Sequence, residues 1–253
     1  MKSAIAIIAI LAACLTGAAR AAPPPEQCDV PPSLIDSDVD LSRVTNAFKA
    51  NHRLDITVIG SGSSALPGPD GARSAYPARL EAMLKQRFAG ADIKVIAHAR
   101  SKETTATMVS GLDKTLADDK PMLVIWQAGT VDALNGVAPE DFRGSLDAGV
   151  EKIQSAGADV ILMNMQFSPR TESMLDVSPY AEVMRVVAEQ HGALLFDRLA
   201  IMHYWNDAGT FDLYTATKKY DMAHRVHDCI GWALASQIIE SAHLDAVRMQ
   251  TTQ

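Results

Sequence analysis

The chain has 253 residues, of which 48% are hydrophobic, with 23 basic and 30 acidic residues and a formal net charge of −7. This acidic balance repels phosphate backbones, so nucleic acid is excluded as an expected partner. No linker or change in composition divides the chain, which predicts one large α/β domain.

The first 21 residues have the features of an export signal. Met1 and Lys2 carry positive charge, Ala4 to Leu15 are apolar, and Ala19–Ala21 form an A-x-A cleavage site. The apolar stretch is too short to span a bilayer, and no later run is long enough, so no transmembrane span is expected. We therefore predict an exported protein, periplasmic or secreted. In the alternative, Cys14 is lipidated in a lipoprotein processing box.

Residues 22–50 are predicted to form an N-terminal arm and a first helix, and residues 51–248 the main domain. The arm begins with Ala22–Pro32, which contains five prolines. Two cysteines remain after cleavage, Cys28 and Cys229. An even pair in an oxidising compartment favours a disulfide, although two buried thiols remain the alternative.

Five short apolar runs alternate with helical patterns along the rest of the chain. The predicted strands are Leu54–Ile59, Ile93–Ala97, Met122–Gln127, Asp159–Met165 and Ala193–Phe196. The predicted helices are Tyr76–Phe88, Thr104–Asp118, Pro139–Ser155, Pro179–His191 and roughly His224–Val247. This alternation is typical of a doubly wound parallel five-stranded α/β sheet with helices on both faces.

Two loops of unusual sequence follow predicted strands and should meet at one edge of the sheet. Gly60–Ala75 follows the first strand and Ala128–Val137 follows the third. Ligands of such sheets bind beyond the carboxyl ends of the strands. The run Gly60–Ser64 matches neither a dinucleotide fingerprint nor a P-loop. The convergence of the two loops therefore predicts a site at this edge, and the serine run is not expected to be a phosphate-binding loop.

Four segments together resemble the SGNH/GDSL hydrolase family. They are "VIGSGSSALPG", "AYPARLEAML", "LVIWQAGTVDAL" and a C-terminal Asp-x-x-His. The resemblance runs from about Leu54 to Ala242 in the order of that family. It implies a three-layer flavodoxin-like fold and an ester or acyl hydrolase in which a histidine activates a serine.

The resemblance leaves three serines open as the nucleophile. An ungapped reading from Gly60 puts Gly62 at the nucleophile position, whereas a shifted reading puts Ser64 there. Ser63 stands one residue from the expected position in either register. We therefore rank Ser63 first, with Ser64 and Ser61 as alternatives.

The same resemblance assigns the other catalytic roles. His224 is the expected base and Asp221 its orienting acid, with His227 as an alternative base; a different alignment places Asp221 itself where the family has histidine.

The backbone amides of Ser63, Lys102 and Val131 are the expected oxyanion donors. Lys102 stands where the family has glycine and Val131 where it has asparagine.

Four polar residues near the same edge are expected to contact substrate, namely Gln127, Asp132, Gln166 and Arg170. In the alternatives, Asp132 caps a helix, Gln127 forms a hydrogen bond at the strand end, and Arg170 pairs with an acid in a solvated loop. No His/Cys cluster has the spacing of metal ligands, so neither a metal nor another cofactor is expected.

These observations predict an exported serine esterase that acts on a small ester or on an O-acyl group of an envelope glycan. The alternative is a degenerate domain that binds a glycan or an envelope partner without turnover. An acyltransferase on the same scaffold is a third possibility.

Overall fold

A parallel five-stranded sheet forms the centre of the molecule in the computed structural model, which describes residues 28–215 and 220–251. The strand order is β2-β1-β3-β4-β5, and all neighbouring strands are parallel. The strands are β1 (Arg53–Gly60), β2 (Asp92–Ala99), β3 (Leu123–Gln127), β4 (Asp159–Met163) and β5 (Leu194–Phe196). Each lies where the apolar runs predict a strand.

Helices connect the strands and flank the sheet. They are α1 (Ser42–Asn51), α2 (Gly71–Ser74), α3 (Tyr76–Arg87), α4 (Thr105–Asp119), α5 (Thr130–Leu134), α6 (Pro139–Ser155), α7 (Pro169–Glu172), α8 (Ser178–His191), α9 (Arg198–Asp207), α10 (Asp221–Ser241) and α11 (Leu244–Thr251). The four helices predicted between the strands are present as α3, α4, α6 and α8.

The C-terminal helix differs from its prediction. One helix from about His224 to Val247 is expected, but α10 begins earlier, at Asp221, and ends at Ser241. His243 then adopts a left-handed conformation, with φ of 50°, which ends the helical hydrogen-bonding pattern before α11 starts. Helix α9 has no counterpart in the sequence prediction.

The two faces of the sheet carry separate apolar cores. Helices α4, α6 and α8 pack on one face, where Leu112 and Phe142 surround Trp126 of β3. Helices α1, α3, α9 and α10 supply the other core, where Leu80 and Ile230 lie with Ile125, the neighbour of Trp126 in β3. Adjacent residues of one strand thus face opposite cores, which confirms the doubly wound three-layer fold.

A disulfide joins the N-terminal segment to α10. Cys28 and Cys229 lie 201 residues apart and are bridged, with their Cα atoms separated by 5.0 Å. Val30, Ile35 and Leu41 are buried against the same core, so the part of the arm that the structure describes packs on the domain. The predicted disulfide is present.

Two predictions on the N-terminal region lie outside the described residues. They are the export signal over residues 1–21 and the alternative lipidation of Cys14. Within residues 28–215 and 220–251, none of the helices is long and apolar enough to cross a bilayer.

Candidate active site

The strand order reverses between β1 and β3, and the loops that follow these two strands meet at the carboxyl edge of the sheet. After Gly60, the last residue of β1, residues 62–64 form a single 3-10 turn. Gln127 is the last residue of β3 and is fully buried. The predicted convergence of the two loops therefore holds in the structure.

Gln127 holds the serine turn together. Its Oε1 accepts hydrogen bonds from the Ser61 amide (3.1 Å) and from the hydroxyls of Ser61 (3.1 Å), Ser63 (3.0 Å) and Ser64 (3.1 Å). A Cβ at Gly60 would lie 2.2 Å from Ser64 Oγ and 3.1 Å from Gln127 Oε1. Glycine at position 60 is thus what allows the turn to approach Gln127.

Ser63 is the most accessible of the three candidate serines. Ser61 and Ser64 are buried, and the Ser64 hydroxyl also contacts the Tyr76 hydroxyl at 2.9 Å. Ser63 is half-buried and lines a cavity of about 460 Å³. A substrate in this cavity meets Ser63 without displacing the turn.

The cavity lies between the serine turn, α9 and the start of α10. Its polar wall includes Ser63, Gln166, Arg198 and His227. Apolar residues complete it, among them Leu66, Phe167, Met202 and Val226. The volume lies within the range of small-molecule sites, and the mixture of an apolar lining with a few polar groups is typical of them.

His227 is a buried neutral histidine. Its Nδ1 accepts a hydrogen bond of 3.0 Å from the Tyr76 backbone amide, so in the neutral ring the proton resides on Nε2. Burial lowers the pKa of His227 to about 3, and the neighbouring charges of Arg198 and His224 act in the same direction. Because Nε2 already carries the proton, His227 in this tautomer donates a hydrogen bond and does not accept the proton of a serine.

The residues expected as base and orienting acid are not joined in this structure. His224 is half-buried and Asp221 is exposed at the start of α10. Among the described residues, no hydrogen bond links His224 to Asp221 or links a histidine to Ser61, Ser63 or Ser64. The structure thus places the predicted base near the cavity without assembling a triad.

Two predicted oxyanion donors lie in short turns near this edge. Lys102 is exposed and has a left-handed conformation, with φ of 67°. Val131 is half-buried in the first turn of α5, where a helix leaves its amides without intrahelical partners. Each amide is a donor close to the carboxyl ends of β2 and β3, respectively.

Asp132 has a different position from the one expected for a substrate contact. Its carboxylate is buried and accepts hydrogen bonds from the Thr105 amide (3.0 and 3.2 Å) and the Thr105 hydroxyl (2.9 Å). Asp132 therefore anchors the first turn of α4. Since these bonds occupy the buried carboxylate, the structure gives no support to its predicted contact with substrate.

The other expected substrate contacts divide into two groups. Gln166 lines the cavity, and Gln127 reaches it indirectly through Ser63. Arg170 is exposed on α7 and is not among the described residues that line the cavity. The loop after β4 therefore contributes Gln166 to the cavity, whereas Arg170 is not part of its lining.

Sequence reasoning missed Arg198 and Tyr76. Arg198, the first residue of α9, is fully buried and donates to the Ser63 carbonyl (3.3 Å) and to Gln166 Oε1 (3.1 Å). Its guanidinium lies 5.8 Å from the centre of the Tyr76 ring. Burial lowers the pKa of Arg198 to about 10, which leaves it charged at neutral pH. The position of Arg198 two residues after β5, a strand that ends at this edge, was the available signal.

No group of three or more His, Cys, Asp and Glu side chains that could hold a metal ion occurs among the described residues.

Comparison with known proteins connects this fold to lipases and esterases. A model of the Non-GDSL lipase-like family matches residues 27–244. Esterase TesA of Pseudomonas aeruginosa is 30% identical over 142 residues, which is 55% of this chain and 68% of that protein.

Solved structures share the architecture at lower identity. The crystal structure of TesA superposes with a TM-score of 0.60 at 23% identity, covering 74% of this chain and 98% of that one. A two-domain esterase active on acetylated mannans gives a TM-score of 0.64 at 16% identity and covers 81% and 54% of the two chains. These structural likenesses concern the fold.

Proposed function

The chain belongs to the non-GDSL lipase-like family, and from this premise we propose that it hydrolyses a carboxylic ester with Ser63 as the nucleophile. One observation carries the proposal. Ser63 is the candidate serine that lines the cavity, at the carboxyl edge of β1 and beside the buried Arg198 and His227. Its relative TesA is named an esterase, which agrees with this chemistry.

In this mechanism a base takes the proton of Ser63 as the hydroxyl attacks the ester carbonyl, and returns it to the alcohol that leaves when the ester C–O bond breaks. The same base then activates the water that releases the acid from the acyl-serine. Gln127, the present partner of the Ser63 hydroxyl, is a neutral amide and cannot act as this base. Since His227 carries its proton on Nε2, His224 is the proposed base and Asp221, three residues earlier on α10, the proposed orienting acid. Catalytic hydrogen bonds are often long before substrate binds and tighten in the complex.

The developing oxyanion requires donors on the opposite side of the carbonyl. The proposed donors are the amides of Ser63, Lys102 and Val131. Backbone N–H groups do not depend on the side chain, so the lysine and the valine retain this capacity. The asparagine that the related family would offer at position 131 is missing, and one such donor is typically worth about 3 kcal/mol of transition-state stabilisation. We therefore expect slow turnover of simple esters.

The proposed setting is outside the cytoplasm, and the proposed substrate is a small ester or an O-acyl group of an envelope glycan. A disulfide between Cys28 and Cys229 is typical of oxidising compartments and supports export. The likeness in fold to an esterase active on acetylated mannans favours acylated carbohydrate among the candidates.

A second candidate function, binding without turnover, is favoured by a specific observation. Ser63 donates to an amide oxygen, and within the described residues it has no hydrogen bond to a histidine. In the ungapped reading, the nucleophile position is occupied by Gly62. If Ser63 is not activated by a base, the cavity binds its ligand without cleaving it.

Hydrolysis of p-nitrophenyl acetate and labelling by a fluorophosphonate distinguish the two functions. We expect wild-type protein to show both, and Ser63→Ala to lose the label and at least about a thousandfold in turnover. Ser64→Ala and His224→Ala test the alternative nucleophile and the base. Ser145→Ala is the control, because that serine is half-buried on α6, away from the cavity lining, and its hydroxyl bonds to its own helix.

Two results contradict the proposal in different ways. If wild-type protein neither turns over the ester nor takes the label, the binding function replaces the enzyme. If Ser63→Ala retains the label and Ser64→Ala loses it, the hydrolase stands with a different nucleophile.

A further inference from the structure

The charge of Arg198 is uncompensated within the described structure. Its guanidinium forms no ion pair with a carboxylate there, and its two hydrogen-bond acceptors are a backbone carbonyl and an amide oxygen. The preceding residue, Asp197, directs its carboxylate to Asn164 Nδ2 (2.7 Å) and the Ala200 amide (3.0 Å). Burying an unpaired cation is costly, whereas a neutral side chain could donate hydrogen bonds to the same two oxygens without that cost.

The surroundings of Arg198 in the cavity do not supply the missing charge. His227 is neutral because burial, together with the positive charge of Arg198, lowers its pKa. Asp212 also lines the cavity, but it is exposed, and its carboxylate accepts hydrogen bonds from the amides of Tyr214 and Thr215 at 3.1 Å each. The inner wall of the cavity is therefore positive.

The hydrogen-bonding geometry leaves one edge of Arg198 nearly free. Nε is buried and has no hydrogen-bond partner, and Nη2 donates to Gln166 Oε1. These two nitrogens lie on the same edge of the guanidinium plane, the edge that binds a carboxylate or phosphate with two parallel hydrogen bonds. Nη1, on the other side, holds the Ser63 carbonyl. Movement of one half-buried side chain, Gln166, thus exposes a two-donor site for an anion.

We propose that Arg198 binds a compact oxyanion on the substrate, such as a carboxylate, after that group displaces Gln166. The inference rests on the proposed hydrolase and deepens it, because it names the substrate class as an ester that also carries a negative charge. The same arginine holds the Ser63 carbonyl, so the anion is fixed close to the nucleophile. An ester of a dicarboxylic acid with one free carboxylate has this chemistry, as does an ester with a phosphate or sulfate group.

Two chromogenic esters, one with a free and one with a methylated carboxyl group, test the inference after the spontaneous hydrolysis of each is subtracted. They are mono-4-nitrophenyl succinate and its neutral methyl ester. We expect wild-type protein to favour the acid by about tenfold or more in kcat/KM, mainly through KM, because a charge-assisted bidentate pair forms only with the acid. Arg198→Met removes this preference. Arg73→Met, which deletes an exposed and paired arginine, keeps it.

A second variant places the missing carboxylate inside the protein. Gln166→Glu sets an anion against Arg198, so we expect a melting temperature higher by about 3 °C and loss of the preference for the acid. The melting temperature of Gln166→Glu rises if Arg198 is an unsatisfied cation, and it falls if the Gln166 amide is structurally required. It also decides the inference if Arg198→Met does not fold.

Ligand binding separates the failure of this inference from the failure of the hydrolase. Succinate, inorganic phosphate and sulfate are titrated separately in calorimetry, and the tightest one identifies the oxyanion. If neither ester is cleaved but an anion binds wild-type protein and not Arg198→Met, the anion site stands and the hydrolase fails. If both esters are cleaved equally and no anion binds, the hydrolase stands and the inference is overturned.

Discussion

Individual residues at the carboxyl edge of the sheet determine which groups can react. Gly60 has no side chain, so Ser64 packs against it and remains buried, while Ser63 reaches the cavity. His227 is the residue whose chemistry depends most on its surroundings. The Tyr76 amide fixes its tautomer, and burial keeps it neutral.

The stability of the protein should depend on pH through His227. Its pKa falls from 6.5 in the unfolded chain to about 3 in the folded protein, so the unfolded state binds the extra proton first as the pH drops. The free energy of unfolding is therefore highest above pH 6.5 and decreases below it. Between pH 7 and pH 5 we expect a loss of about 1–2 kcal/mol from this residue.

Urea unfolding of wild-type protein and His227→Asn at pH 5, 6 and 7 measures this contribution. Asparagine offers an oxygen to the Tyr76 amide but does not titrate in this range. The difference in unfolding free energy between the two proteins should change by about 1–2 kcal/mol between pH 7 and pH 5. Parallel pH profiles would show that His227 titrates normally in the folded state.

The packing of α3 against α10 positions Tyr76 and His227 relative to each other. Tyr76 begins α3 and His227 lies in α10, so their hydrogen bond depends on how closely these helices approach. Gly231 makes the approach possible. A Cβ at this position would lie 2.7 Å from Arg79 Cβ and 3.0 Å from the Leu80 nitrogen of α3.

Two glycine-to-alanine substitutions should therefore have opposite effects. Alanine is the better helix former, so Gly144→Ala, at an exposed position of α6 with nothing within 4 Å of the new Cβ, should stabilise the protein by about 0.5–1 kcal/mol. Gly231→Ala gains the same propensity but pushes against the backbone of α3, and should destabilise by about 1–3 kcal/mol. Chemical denaturation of both variants tests this, and stabilisation of both would refute the close helix contact.

In the molecule as a whole, the disulfide links parts of the chain that are far apart in sequence. It connects Cys28, near the start of the described residues, to α10, two residues beyond His227. The N-terminal segment is thereby held against the core that contains α3 and α10. The bridge closes a loop of about 200 residues, so it should strongly restrict the unfolded chain.

Removal of the bridge should lower the free energy of unfolding by about 5 kcal/mol in the chain-entropy model. The Cys28→Ser/Cys229→Ser double variant and chemically reduced wild-type protein should show equal losses, measured by urea unfolding. Non-reducing mass spectrometry confirms the pairing. Added reductant should leave the double variant unchanged. A loss below about 1 kcal/mol would mean that the disulfide restricts the unfolded chain far less than the model predicts.

Much of the architecture follows from local sequence patterns. Apolar runs such as Met122–Gln127 and helical spacing such as that of Leu80 and Leu84 depend on residues a few positions apart, so the alternation of strands and helices is visible without coordinates. The same holds for the motifs that relate the chain to its hydrolase family and for the pairing of two cysteines. The errors, the break at His243 and the missed α9, occur where packing decides a backbone conformation.

The chemistry of the site was decided by contacts between distant parts of the chain. Tyr76 and His227 lie 151 positions apart, and Ser63 and Arg198 lie 135 apart. A sequence pattern shows that a histidine or an arginine is present, but the tautomer, the burial and the missing counter-ion depend on which groups surround it. Composition, periodicity and motifs therefore determined the fold and the family, whereas only the packed molecule showed that Ser63, of the three serines, lines the cavity and that Arg198 is a buried cation.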